Sequence, residues 1–203
     1  MRLIRRDAYT TTRWRNGGGV THEAVRVPAA TDEYLWRLSI AEIAESGPFS
    51  DFSGYRRHML LLGGRGVELR FANGERRLLR EVGDLVEFDG GLRTDCELLA
   101  GPCTDLNLMT APPIAAVGAR VLDVREPLEL RHRAGDTSLI FCMHGALQVR
   151  EGELLQELGP WDLGILDRAA VVSAATPRLR DSRAFIVTLG AISPALPTEI
   201  PHA

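Results

Sequence analysis

The stretch Trp14-Arg15-Asn16-Gly17-Gly18-Gly19-Val20-Thr21-His22-Glu23 sets an amide, a hydroxyl, an imidazole and a carboxylate around three consecutive glycines. Glycine is kept where the backbone needs a left-handed conformation or where something approaches it closely. Asn16-Gly17 also reads as a hairpin turn, so the run fits a turn and a ligand loop alike. More polar candidates follow at Arg37 and Ser39 in Trp36–Ile40, at Ser50 and Phe52 in Gly47–Phe52, at Arg57, and at Asp105 and Asn107 in Asp105–Met109. Arg37 and Arg57 carry the forked donors that grip a carboxylate through two hydrogen bonds. Asn16, Thr21, Ser39 and Asn107 suit an amide or hydroxyl of a ligand. Glu23 and Asp105 either accept a ligand N–H or hold the arginines, and Arg57 has Asp51 or Asp105 as alternative partners.

Other chemistries lack their residues. The histidines are His22, His58, His132, His144 and His202, none of them in a closely spaced pair, so a facial metal site cannot be assembled and no metal is expected. Cys96, Cys103 and Cys142 are odd in number with no C-x-x-C spacing, which argues against a disulfide framework or a zinc cluster and fits a reducing compartment. No G-x-S-x-G elbow is present, and no Lys-Ser/Thr follows the glycine run to make a phosphate loop. All 24 Lys+Arg positions are arginine, so no side-chain amine can form a Schiff base. No catalytic residue and no cofactor is assigned. The alternative to a binding protein is a metal-independent isomerase or hydrolase, with Glu23 or Asp105 as general base and Arg37 polarising a carbonyl.

The elements that must position these groups read as strands. Short apolar runs at His58–Leu62, Val67–Phe71, Leu78–Arg80, Leu85–Phe88, Cys96–Leu99 and Leu106–Met109 are separated by turn signals such as Asn73-Gly74. Ala41–Glu45 reads as one helical turn at most. Alternation puts Trp36, Leu38 and Ile40 on one face and Arg37 and Ser39 on the other; Leu106 and Leu108 oppose Asp105 and Asn107 in the same way. The second half repeats the first. Leu60–Arg70 aligns with Ile140–Arg150, Gly83-Asp84-Leu85 with Trp161-Asp162-Leu163, and Asp105–Met109 with Arg183–Val187, at offsets drifting from 80 to 78. In that alignment Arg183 and Phe185 stand opposite Asp105 and Asn107. The expected fold is all-β: a bicupin of two tandem cupin-type barrels, residues 1–112 carrying the pocket and 113–203 a plainer copy, with Ala111-Pro112-Pro113 at the crossing. A net charge of −3 argues against a nucleic-acid partner, and no apolar run reaches membrane length, so a cytoplasmic protein is expected. A second copy of the chain, paired through an open sheet edge, is the other partner considered.

The order and spacing of Trp14–Gly19 with Thr21 and Glu23, Trp36–Ala41, Gly47–Ser50, Gly54-Tyr55-Arg56-Arg57, and Gly101-Pro102 with Asp105–Met109 resemble the HutD/Ves family. The resemblance covers most of the chain and is densest between Trp14 and Met109. It implies a bicupin without the usual metal ligands. HutD proteins are associated with bacterial histidine utilisation and proposed to bind N-formylglutamate, while Ves-type members are linked to stress and cold responses. The pocket residues it implies are Asn16, Thr21, Glu23, Arg37, Ser39, Arg57, Asp105 and Asn107. A small anionic metabolite is the ligand class on both counts.

Overall fold

The computed structural model describes residues 1–29, 33–112, 114–131, 133, 135–174 and 182–191. His132 and His202, and Pro113 of the crossing segment, lie outside these. Strands dominate the described residues. β1 (Arg2–Ile4), β2 (Thr10–Arg13), β3 (Gly19–Pro28), β4 (Tyr34–Ile43) and β5 (Gly47–Pro48) lead into β6 (Arg56–Gly63), β7 (Val67–Phe71), β8 (Arg76–Leu79), β9 (Leu85–Asp89), β10 (Thr94–Leu98) and β11 (Cys103–Thr110). After them come β12 (Ile114–Asp123), β13 (Leu128–Leu130), β14 (Thr137–His144), β15 (Leu147–Glu151), β16 (Leu154–Leu158), β17 (Leu163–Leu166), β18 (Ala170–Ala174) and β19 (Arg183–Ala191). The helical turn read at Ala41–Glu45 is instead the end of β4, which stays paired with β3 and β11 as far as Ile43.

The repeat is exact in topology. One barrel pairs strands in the order β4-β11-β6-β9 in one sheet and β5-β10-β7-β8 in the other. The other barrel has β12-β19-β14-β17 and β13-β18-β15-β16, the same order with eight added to each label. The first barrel's larger sheet is extended by β3 and β2. The second is extended by β1, which lies antiparallel to β17 with Ile4 opposite Leu163.

Three apolar clusters hold this together. Each barrel has its own: Met59, Leu61, Val67, Leu69 and Phe88 among others in the first, and Ile140, Cys142, Leu147, Val149, Ala184 and Ile186 among others in the second. The third cluster joins the barrels. Trp36, Leu38, Ile40, Leu60, Leu106 and Leu108 pack there with Leu139, Phe141, Leu163, Phe185 and Val187. The apolar alternation of β4 and β11 therefore faces the other barrel, and the polar set faces into the first barrel.

This corrects one detail of the repeat. Phe185 lies in the shared cluster with Leu106 and Leu108, so it cannot be the counterpart of Asn107. Strand faces alternate with period two, and a one-residue slip exchanges them. Pairing registers make Ala184 and Ile186 the counterparts of Asp105 and Asn107, and Ser138 that of Arg57. The second barrel is thus apolar where the first is charged. Its one hydroxyl pair there, Ser138 with Thr188 at 3.1 Å, satisfies itself.

Candidate functional site

Three neighbouring strands build the floor of a cavity in the first barrel. On β11, Asn107 stands opposite Ser39 of β4, and Met109 opposite both Arg37 of β4 and Arg57 of β6. The in-register antiparallel pairing brings Arg37, Ser39, Arg57, Asp105 and Asn107 onto one face. The cavity above them has a volume of about 570 Å³. One wall is the segment Thr12–Asn16 with Thr21, and the other is Pro48, Phe49, Ser50 and Phe52. This size and mixture of aromatic and convergent polar groups is typical of a small-molecule site.

The glycine run forms the β2–β3 turn and so brings its wall into place. Trp14 N–H donates to the Gly19 carbonyl at 3.0 Å and Gly17 N–H to the Trp14 carbonyl at 3.1 Å. Gly17 has φ +76, and Asn16 Oδ1 accepts from Gly18 N–H at 3.1 Å. The turn and the ligand-loop readings of Asn16-Gly17 therefore describe one segment, because Asn16 also lines the cavity. Gly19 meets the close-approach requirement, since a Cβ there would run into the Glu42 carbonyl and come within 3.0 Å of the Trp14 ring. Trp14 in turn donates its indole N–H to Thr21 Oγ1 at 2.8 Å.

At the bottom of the cavity lies a polar chain. Arg57, only 4% exposed, donates from Nη2 to Asn107 Oδ1 at 2.5 Å. Asn107 Nδ2 donates to Asp105 Oδ2. Arg57 Nε and Asp105 Oδ1 are buried without a hydrogen-bond partner. Among the described residues no carboxylate forms an ion pair with Arg57, and Asp51 accepts instead from Ser53 N–H at 2.8 Å. The Arg57 guanidinium is surrounded by the rings of Phe49, Phe88 and Phe52 at 4.8, 5.0 and 5.3 Å. Such rings stabilise a cation without neutralising it. Burial pulls the Arg57 pKa down to about 10, so it stays charged. Burial also pushes the Asp105 carboxyl up to about 7, outweighing the attraction of Arg57 and the amide of Asn107.

Of the residues picked from sequence, Asn16, Thr21, Arg37, Ser39, Ser50, Phe52, Arg57, Asp105 and Asn107 all line the cavity. Glu23 sits beside them on β3, opposite Ser39, outside the lining. Its carboxylate binds Arg37 Nε at 2.5 Å and Arg26 Nη2 at 2.8 Å. Burial alone would raise its pKa; the hydrogen bonds from Arg26 and Arg37 win and lower it. Glu23 thus holds Arg37, and taking up a proton would cost it the charge that both ion pairs share. Sequence reasoning did not assign Thr12, Arg13, Trp14, Arg15, Ala41, Pro48, Phe49 and Met109 to the site, and all of them line it. Met109 had a signal, lying in step with Asp105 and Asn107. Phe88 had none, since only the β6–β9 pairing sets it opposite Arg57.

The described histidines stand apart. His22 lies between Thr11 and Glu42, each at 2.9 Å, and His58 contacts Glu87 at 3.4 Å. Among the described residues no group of three or more His, Cys, Asp or Glu side chains is placed to hold a metal ion.

The family model for HutD matches residues 6–185. The chain belongs to the HutD family. A Pseudomonas putida protein described as an uncharacterized 21.2 kDa protein in the hutC 3' region is 35% identical over 164 residues, 80% of this chain and 84% of that one. Protein Ves of Citrobacter koseri is 35% identical over 147 residues, 72% of this chain and 74% of its own length. Among solved structures, HutD from Pseudomonas fluorescens SBW25 superposes with a TM-score of 0.78 at 28% identity, covering 95% of this chain and 99% of its own. A cupin 2 conserved barrel protein of Leptotrichia buccalis gives a TM-score of 0.57 at 11% identity over 94% of this chain and 96% of that chain, which bears on the fold alone. HutD membership agrees with the resemblance read from Trp14–Met109, and the cupin likeness with the two barrels.

Proposed function

We propose that this HutD-family chain binds a small carboxylate metabolite, such as N-formylglutamate, in the first-barrel cavity and serves histidine utilisation by binding rather than by turnover. The observation that carries the reading is Arg57: a buried, charged guanidinium at the floor of a cavity, with an unpaired donor and no ion-pair partner among the described residues. A buried cation in this state is stabilised strongly by an incoming anion. Arg37, Ser39, Asn16 and Asn107 supply the donors and acceptors for a second carboxylate and an amide. A cavity of about 570 Å³ holds a molecule of that size. The neighbourhood of the Pseudomonas putida relative to hutC supports the pathway. The free, buried thiols of Cys96, Cys103 and Cys142 support a cytoplasmic setting.

Titration calorimetry with N-formylglutamate, urocanate and glutamate tests the reading. Arg57→Met keeps the apolar stem inside the aromatic rings and removes the charge. Its affinity for the preferred ligand should fall about 30-fold or more, the order of a lost charged hydrogen bond. Binding that Arg57→Met leaves unchanged would sink the proposal.

A further inference from the structure

We infer that the cavity takes up a carboxylate and a proton together, the proton residing on Asp105. This deepens the proposed binding function and rests on it. Asp105 and any anion held by Arg57 compete for one cation. Asp105 is 1% exposed, one carboxyl oxygen accepts only the amide of Asn107, and the other has no partner. Its link to Arg57 runs through Asn107, so it draws on the guanidinium charge without an ion pair.

Among the described residues, Arg57 is the cation to which the Asp105 carboxyl is linked. Arg37 on β4 is engaged with Glu23. Cys96 on β10 and Cys103 on β11 are buried thiols, and burial pushes Cys96 up to about 12, so it stays neutral. Arg13 and Arg15 line the cavity wall formed by Thr12–Asn16, away from the β11 strand that carries Asp105. A ligand carboxylate beside Arg57 therefore places two negative charges around one buried cation. Like charges in such a site do not both ionise readily, and the cheaper response is to protonate the carboxyl that has fewer donors. Asp105 already lies close to that change, at about 7 in the empty site.

The linkage has a definite sign. Below the Asp105 pKa the proton is already present and affinity is independent of pH. Above it each bound carboxylate must bring a proton, so affinity falls as pH rises. N-formylglutamate is a suitable probe because its nitrogen is acylated and its carboxyls are ionised throughout the range used. Calorimetry of the wild-type chain at pH 8.5 in buffers of different ionisation enthalpy should show uptake of about one proton per ligand, and at pH 6 close to none. Affinity should fall by about tenfold or more between those pH values. Asp105→Asn, which mimics the protonated form, should bind with a flat profile and exceed the wild-type chain at pH 8.5.

Ligand binding with no proton uptake and a flat wild-type profile would overturn the linkage and leave the binding proposal intact. The wild-type slope persisting in Asp105→Asn would also overturn it. Binding of none of N-formylglutamate, urocanate and glutamate at any pH would remove both. The buffer series needs no variant, so it decides even where Asp105→Asn does not fold.

Discussion

Asp105 and Gly19 show how single residues trade stability for a site. The Asp105 carboxyl is held at about 7 in the folded chain, against an ordinary value of 3.8. The folded state therefore binds this proton more tightly than the unfolded one. Its contribution is fully present below about pH 4 and declines as pH rises towards 7. Glu23, whose pKa is lowered, acts in the opposite sense: its contribution is present above the ordinary carboxylate pKa and lost on acidification. Comparing the wild-type chain with Asp105→Asn isolates the first effect. Chemical denaturation should show Asp105→Asn more stable by a few kcal/mol at pH 8, with the gap closing by pH 4. A constant gap across that range would mean that Asp105 ionises as freely in the fold as out of it. The glycines separate just as clearly. A Cβ on Gly18 meets only the Asn16 side chain, no closer than 3.5 Å, whereas one on Gly19 meets backbone and the Trp14 ring. Gly18→Ala should change stability by less than about 1 kcal/mol, and Gly19→Ala should destabilise by more than about 2. Equal effects in thermal denaturation would contradict this account of the turn.

At the scale of elements, the strands were legible and their faces partly so. The alternation in Trp36–Ile40 and Asp105–Met109 foretold which side chains point together, because the period of a strand is written directly in the sequence. The order of glycine turns and Gly-Asp turns foretold the duplicated barrel. The exact register between the copies was not legible. Composition aligns Leu60 with Ile140, yet Leu60 faces the neighbouring barrel and Ile140 its own core. The pairing of β6 shifts register at Thr104/Asp105, and that of β14 shifts between Cys142 and His144. These shifts fall at the same place in both copies, so the slip lies in the composition-based alignment, where apolar residues on both faces of β6 and β14 match equally well one residue out of step. The role of Glu23 was partly legible: holding an arginine was one of its three readings, but its sharing between Arg26 and Arg37 depends on the β3–β4 pairing. The aromatic surround of Arg57 was the least legible part. Phe49 and Phe52 share one segment, but Phe88 comes from β9, and only the β6–β9 pairing brings it to Arg57. Gly90 explains how one of them is held, since a Cβ there would come within 2.5 Å of the Phe52 carbonyl.

For the whole molecule, the two barrels divide the work of stability and binding through the cluster they share. Leu38, Ile40, Leu106 and Leu108 are the reverse side of the strands that carry Arg37, Ser39, Asp105 and Asn107. They pack on Leu139, Phe141, Phe185 and Val187, so the second barrel backs the floor of the site, and none of its described residues is in the cavity lining. Its own interior, with Ala184 and Ile186 where the first barrel has Asp105 and Asn107, gains the apolar burial that the first barrel gives up. A polar cavity floor is tolerable because the sheet bearing it is held from behind. Phe185→Ala tests this coupling, since Phe185 is wholly buried on the second barrel's side of the shared cluster. The truncation should destabilise the chain by about 3–5 kcal/mol, the usual loss for a buried Phe. Denaturation followed by calorimetry should still show one transition, because neither barrel can bury its half of the cluster alone. A saturating carboxylate ligand should raise that transition in Phe185→Ala as it does in the parent chain, since the binding groups are untouched. Two resolved transitions, with only the second barrel weakened, would show that the first barrel stands and binds without its neighbour.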